Sequence, residues 1–176
     1  IFYKWSKAEK EAIGLYEVVT DSTNYKDPKW YNNTNESFAF ANNTVTRSWD
    51  TATAKAHADT LWTQEDSDDG DLPDDKEVGD VKVEGLKTQL IRTIKQQAAG
   101  ILQNTDWYIV RKADAGTAVP SAITTHRAAV RTKAAEMETA ITNASDTPAL
   151  ETLYTYTEQE NGSVTRPLGE LPTLES

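Results

Sequence analysis

Residues 105–131 read TDWYIVRKADAGTAVPSAITTHRAAVR, and the fold turns on this stretch. It sets Asp106, Trp107 and Tyr108 directly after one predicted helix and places Arg127 and Arg131 four residues apart on the next. Gly116 and Pro120 break the pattern between them, so the expectation is a loop that turns the chain back on itself. Upstream, Leu86, Leu90, Ile94, Ala98, Ile101 and Leu102 recur at steps of three and four, which lines one helix face with apolar side chains. Downstream, Pro120-Ser121 opens the second helix, where a proline has no hydrogen bond to lose. Ile123, Val130, Ala134, Met137 and Ile141 continue its buried side. Residues 143–146 stop it, Thr147-Pro148 opens a short third helix, and Leu150 and Leu153 supply that helix's apolar face.

The N-terminal third has a different texture. Residues 1–5 are apolar and aromatic, a candidate edge strand. Ser6 and Glu9 have the spacing of a capping box, and Gly14 suits the left-handed end of the short helix that follows. Residues 15–20 read as a strand. After Trp30-Tyr31 come residues 37–40 and 44–46, aromatic or β-branched runs set off by Asn32-Asn33 and Asn42-Asn43, whose side chains tolerate turns. This spacing predicts a meander or two hairpins rather than a parallel sheet. Residues 51–61 read as a short alanine-rich helix carrying His57, and residues 65–80 as an acidic solvated loop. The expected class is therefore α+β: a small antiparallel β-rich N-terminal part, then a helical hairpin with a short third helix. The boundaries fall at 1–62 for the β-rich module, 63–82 for the acidic linker, 83–157 for the hairpin and 158–176 for an extended tail.

Composition narrows the function classes. A formal charge of −10 over 176 residues argues against a duplex nucleic-acid binder and against anionic membrane surfaces. No apolar run is long enough to span a bilayer, no signal peptide is expected, and the opening Ile1 is read as a trimmed or processed start. Without cysteine there are no disulfides and no thiolate metal sites. Sequons at Asn32, Asn35 and Asn42 matter only in a secretory pathway.

Asp106 with Arg127 and Arg131 is the strongest constellation, since arginines four apart share a helix face and a hairpin brings Asp106 to its start. One reading makes it a partner-binding patch with Trp107, Tyr108 and Arg111. The preferred reading is a salt bridge locking the elbow, with Trp107 and Tyr108 packed over the arginine stems. Trp30 and Tyr31 form a candidate ligand-stacking pair, at least one of them exposed. Against that stands the preferred reading of Tyr25, Trp30, Tyr31, Phe38 and Phe40 as the core of a small sheet. His57 and His126 lack metal-ligand spacing, the acidic loop misses the EF-hand positions at Gly70 and Lys76, and no nucleophile elbow or phosphate loop is present. No catalytic residue, metal or cofactor is expected, and the chain is read as a non-enzyme.

The block from Gly85 to Ile141 resembles the tail-assembly chaperones and tail-fibre-associated proteins of tailed bacteriophages. The shared pattern is a helix ending in a leucine, then (T/S)DW, a proline-containing loop, and a helix with R-x-x-x-R. Here it falls on Leu102, Thr105-Asp106-Trp107, Pro120 and Arg127/Arg131. The segments SKAEKEAIGLYEVV and ENGSVTRPLGELP are similar to those of small virion proteins of marine, cyanophage-like phages. The resemblance implies a non-enzymatic protein that docks on a tail fibre or other tail component, in the virion or in the host cytoplasm during assembly. It also leaves room for self-association. The alternatives are a receptor- or glycan-binding tail module and, less favoured, a small hydrolase.

Overall fold

The structure is a computed structural model that describes residues 2–174. It is an α+β fold, with small sheets in the N-terminal part and long helices in the C-terminal half. The chain divides into two compact units, one ending at Lys55 and one beginning at Ala56.

In the first unit, Phe2–Lys4 forms a 3-10 turn rather than the expected edge strand, whose first residue lies outside the described residues. Helix α1 (Lys7–Glu11) starts as its sequence requires: Ser6 accepts from the Glu9 backbone N–H, and the Glu9 carboxylate accepts from Ser6. Gly14 takes the left-handed conformation at φ +79°. Strands β1 (Glu17–Thr20), β2 (Tyr31–Asn32), β3 (Ser37–Ala41), β4 (Thr44–Ser48) and β5 (Thr53–Ala54) follow. Asn42 and Asn43, both at positive φ, make the two-residue turn between β3 and β4, so that Ala41 faces Thr44. Two successive left-handed residues give the hairpin turn whose twist matches its strands, which is why asparagine serves at both positions.

The sheet order is β1-β4-β3, and β1 lies parallel to β4. The expected meander accounts for the β3–β4 hairpin but not for this parallel pair. The hairpin leaves one edge of β4 open, and the long connection after β1 lets that strand take it in parallel. β2 and β5 form a separate antiparallel pair. Among the described residues of this unit, only Trp30 and Tyr31 are buried.

The second unit opens with β6 (Thr60–Leu61), α2 (Gln64–Asp68) and β7 (Val81–Val83). Residues 51–61 form no helix. The Ala56 and His57 carbonyls instead accept from Leu86 N–H and Lys87 N–H, the free donors at the start of α3 (Leu86–Gln103). The acidic stretch is likewise no open linker, because β6 and β7 pair antiparallel across it and Thr63 caps α2 with Asp66.

α3 is followed by α4 (Asp106–Ala115), α5 (Ser121–Asn143) and α6 (Thr147–Tyr154). α3 packs on α5 to make the core: Leu86, Leu90, Ile94 and Ala98 meet the buried face of α5, with Ile123, Val130, Ala134, Met137 and Ile141. Asp146 caps α6 through its carboxylate, and Leu150 of α6 is fully buried. The tail is not simply extended: β8 (Thr157–Glu158) pairs with β9 (Val164–Thr165), and Leu168 is buried after donating its N–H to the Leu153 carbonyl.

Candidate functional site at the α3–α4–α5 elbow

Arg127 organises the elbow. Its position on α5 points into the hairpin, where only 8% of its side chain is exposed. Nη1 donates to the Leu102 carbonyl and to the Thr105 hydroxyl, each at 2.7 Å, and Nη2 pairs with Asp106 at 2.8 Å. The Leu102 carbonyl belongs to the last turn of α3, where it also accepts from the Thr105 backbone N–H, and the guanidinium adds a charged donor to that closure. Thr105 shares in the closure, donating its hydroxyl to the same carbonyl at 3.0 Å. With its hydroxyl turned there, Thr105 stands at the N-cap of α4 without capping it by its side chain. The sequence pairing of Asp106 with Arg127 is thus present, but over half of the Asp106 side chain is exposed. The buried bonds to Leu102 and Thr105 hold the joint, and the ion pair adds a solvent-screened contribution.

Arg131 does not join this cluster. It is exposed, and its Nη1 lies 3.5 Å from the Arg127 carbonyl, at the limit of a hydrogen bond. Helical side chains lean toward the N-terminus, so Arg131 leans back along its own helix and ends in solvent. Trp107 and Tyr108 do not cover the stems of Arg127 and Arg131 either. Arg111 takes that place, with its guanidinium carbon 4.7 Å from the Trp107 ring centre and 5.5 Å from that of Tyr108. Three and four residues apart on one helix, these groups face each other without any hairpin.

The expected loop after Asp106-Trp107-Tyr108 is instead α4, which ends where Gly116 turns left-handed at φ +67°. None of its ten residues is buried. Trp107, Ile109 and Val110 leave 51%, 44% and 65% of their surface in water. The signals for this helix were in the sequence, in a run of helix formers after Thr105-Asp106 and a glycine just past its end. The loop marked by Gly116 and Pro120 is confined to residues 116–120, between the end of α4 and the start of α5.

Trp30 and Tyr31 present no free stacking face. They are 3% and 6% exposed, with Lys29 and Lys26 ammonium groups each 4.4 Å from the ring centres. Phe38 and Phe40, read as core, are the exposed rings instead. The physical reason is sheet size: three short strands with no second layer cover neither of their own faces.

A cleft of about 430 Å³ between α3, α5 and the tail is lined by Gln97, Ile101, Met137, Arg166 and Glu170. Its cation and carboxylate pair with each other at 2.8 Å, and Glu170 also accepts from the Tyr156 hydroxyl. That bond pushes the Tyr156 phenol above its ordinary pKa, and burial does the same for Tyr154. In the acidic loop, the Lys82 ammonium and the Thr63 N–H and hydroxyl hold the Asp66 carboxyl down to about 2. Among the described residues there is no group of three or more acids and histidines placed to hold a metal, and no helix long and apolar enough to cross a membrane. His126 is buried on α5, while the backbone carbonyl of His57 serves the start of α3.

No protein-family model, curated protein or solved structure matches this chain.

Proposed function

We propose that this chain is a non-enzymatic docking and assembly protein of a bacteriophage tail, and that α4 is the element that engages a tail fibre or other tail component. The single observation that carries the docking role is the state of α4. A ten-residue helix that buries none of its residues is marginal in water, because helices this short draw their stability from packing. α4 nevertheless starts from a fixed point, since Arg127 ties Thr105 and Asp106 to the end of α3. Trp107, Ile109 and Val110 are its exposed large apolar side chains, an aromatic and aliphatic set of the type that forms interface anchors, with Trp107 and Val110 three residues apart on one side. The assignment to a phage tail rests on the resemblance carried by Thr105-Asp106-Trp107, Pro120, Arg127 and Arg131.

The two parts of the pattern then divide the labour. Asp106 and Arg127 set the angle at which α4 leaves the hairpin, and Trp107 with its outward neighbours makes the contact. Co-purification of the full chain with the tail fibre tests this. A Trp107→Ser, Val110→Ser double variant is expected to lose the fibre while keeping its helical circular dichroism, and Arg131→Ala is expected to retain it. A double variant that still co-purifies overturns α4 as the docking element. Turnover in a broad hydrolase screen overturns the non-enzymatic reading.

A further inference from the structure

The three-stranded sheet of the first unit has one face whose larger aromatic and aliphatic side chains lie mostly in water. Residues opposite each other in neighbouring strands share a face. The register therefore puts Val18, Val45 and Phe40 in one row, with Thr20, Arg47 and Phe38 in the next. Tyr16 extends the first row, its ring centre 4.5 Å from that of Phe40. The opposite face carries Val19 among small and polar groups such as Ala39, Thr46 and Ser48. The strands thus alternate as if one side were a core, yet Phe38, Phe40 and Val18 are 60%, 57% and 53% exposed.

We propose that this face pairs with the same face of a second copy of the chain, making a two-layer sandwich about a twofold axis. Charge is the first argument. Residues 1–55 hold seven Lys and Arg against seven Asp and Glu and are formally neutral, so the whole charge of −10 lies in residues 56–176. A neutral unit neither repels its own copy nor attracts a strongly charged ligand. Self-complementarity is the second. Arg47, on the central strand within this face, is neutralised by Glu36 and lies over the Trp49 ring with its guanidinium carbon 4.5 Å from the ring centre, so a twofold sets no uncompensated charge against its own copy. Area is the third. At ~200 Å² for a phenylalanine or tyrosine ring, the exposed part of Tyr16, Val18, Phe38 and Phe40 comes to roughly 400 Å². That is about half of the ~800 Å² each partner gives to a stable interface, as fits an apolar centre inside a polar rim. This surface is separate from α4, so it stands or falls independently of the fibre-docking role.

Sedimentation equilibrium of the full chain up to ~100 µM tests the pairing. The expected result is a monomer–dimer equilibrium reaching twice the chain mass. Phe38→Ser with Phe40→Ser is expected to raise its Kd at least about tenfold, the effect of losing one interface anchor. Val19→Ser, on the opposite face, is expected to leave it unchanged. Because the chain has no cysteine, single Phe40→Cys and Val19→Cys variants supply a second readout that keeps the remaining rings in place. A bis-maleimide linker is expected to join copies through position 40 and not through position 19. A wild-type chain that stays monomeric, a serine pair that associates as well as wild type, or equal cross-linking at both positions overturns the proposal.

Discussion

A methyl group at position 85 has nowhere to go. A Cβ there would lie 2.3 Å from the carbonyl carbon and oxygen of Ala58, both of them backbone atoms. Gly85 lets residues 56–59 approach the start of α3, where Asp59 also accepts from Gly85 N–H and the Thr88 hydroxyl. Gly85→Ala is therefore expected to cost about 1–3 kcal/mol by overpacking, read as a lower urea midpoint at unchanged slope. Two arginines separate in the same assay. Arg127→Ala removes the charged donor shared by the Leu102 carbonyl, the Thr105 hydroxyl and Asp106 and is expected to cost ~1.5–3 kcal/mol, whereas Arg131→Ala is expected within ~0.5 kcal/mol of wild type. Their spacing made them look like a pair, but depth in the fold tells them apart. Asp66 gives a pH signature of determinate sign. Its carboxyl, at about 2, is depressed below its ordinary 3.8, so its contribution is full above pH 3.8 and is lost as pH falls through 2. Carbon-detected NMR titration is expected to place it lowest among the carboxyls of the acidic loop. In Lys82→Ala its pKa is expected to move up toward the ordinary value.

α4 shows how an element can be stable in form and weak in energy. Its first turn hangs from Arg127, and its last turn is closed only by the left-handed Gly116. With no residue buried, its backbone hydrogen bonds open to water one at a time rather than with the core. Hydrogen exchange is expected to be at least ~100-fold faster in the second half of α4 than in the middle of α3 or α5, a difference of about 3 kcal/mol or more in opening free energy. A bound partner is expected to slow α4 selectively. Exchange in α4 as slow as in α3 without any partner would show that the helix is already packed. The β3–β4 hairpin is the contrasting case: Asn42 and Asn43 dictate its turn locally, whatever lies around it.

At the scale of the molecule, charge and core are unevenly shared. Residues 56–176 hold the long helices, the main core and the entire net charge of −10, while residues 1–55 are neutral and bury two aromatic side chains among those described. Screening acts on the first kind of unit and not on the second. Raising ionic strength from ~10 to ~150 mM shortens the Debye length from about 30 to about 8 Å. Hydrogen exchange is therefore expected to slow across residues 56–176 and to stay nearly constant in β3 and β4. Equal slowing in both units would mean that repulsion within the second unit does not govern its stability.

The sequence by itself determined the features whose causes lie within a few residues of them. The Ser6–Glu9 capping box, the Asn42-Asn43 turn, the two long amphipathic helices, and the short helix opened by Thr147-Pro148 each follow from local backbone chemistry or from a 3.6-residue period. The Asp106–Arg127 pair was legible too, because a hairpin leaves those positions few other places to be. Only the tertiary structure decided which arginine is buried, that residues 56–59 hold the start of α3, and that β1 runs parallel to β4. It also reversed the aromatics, burying Trp30 and Tyr31 and leaving Phe38 and Phe40 in water. Each of these depends on what lies across from a residue in space, and spacing along a chain carries no record of the opposite wall.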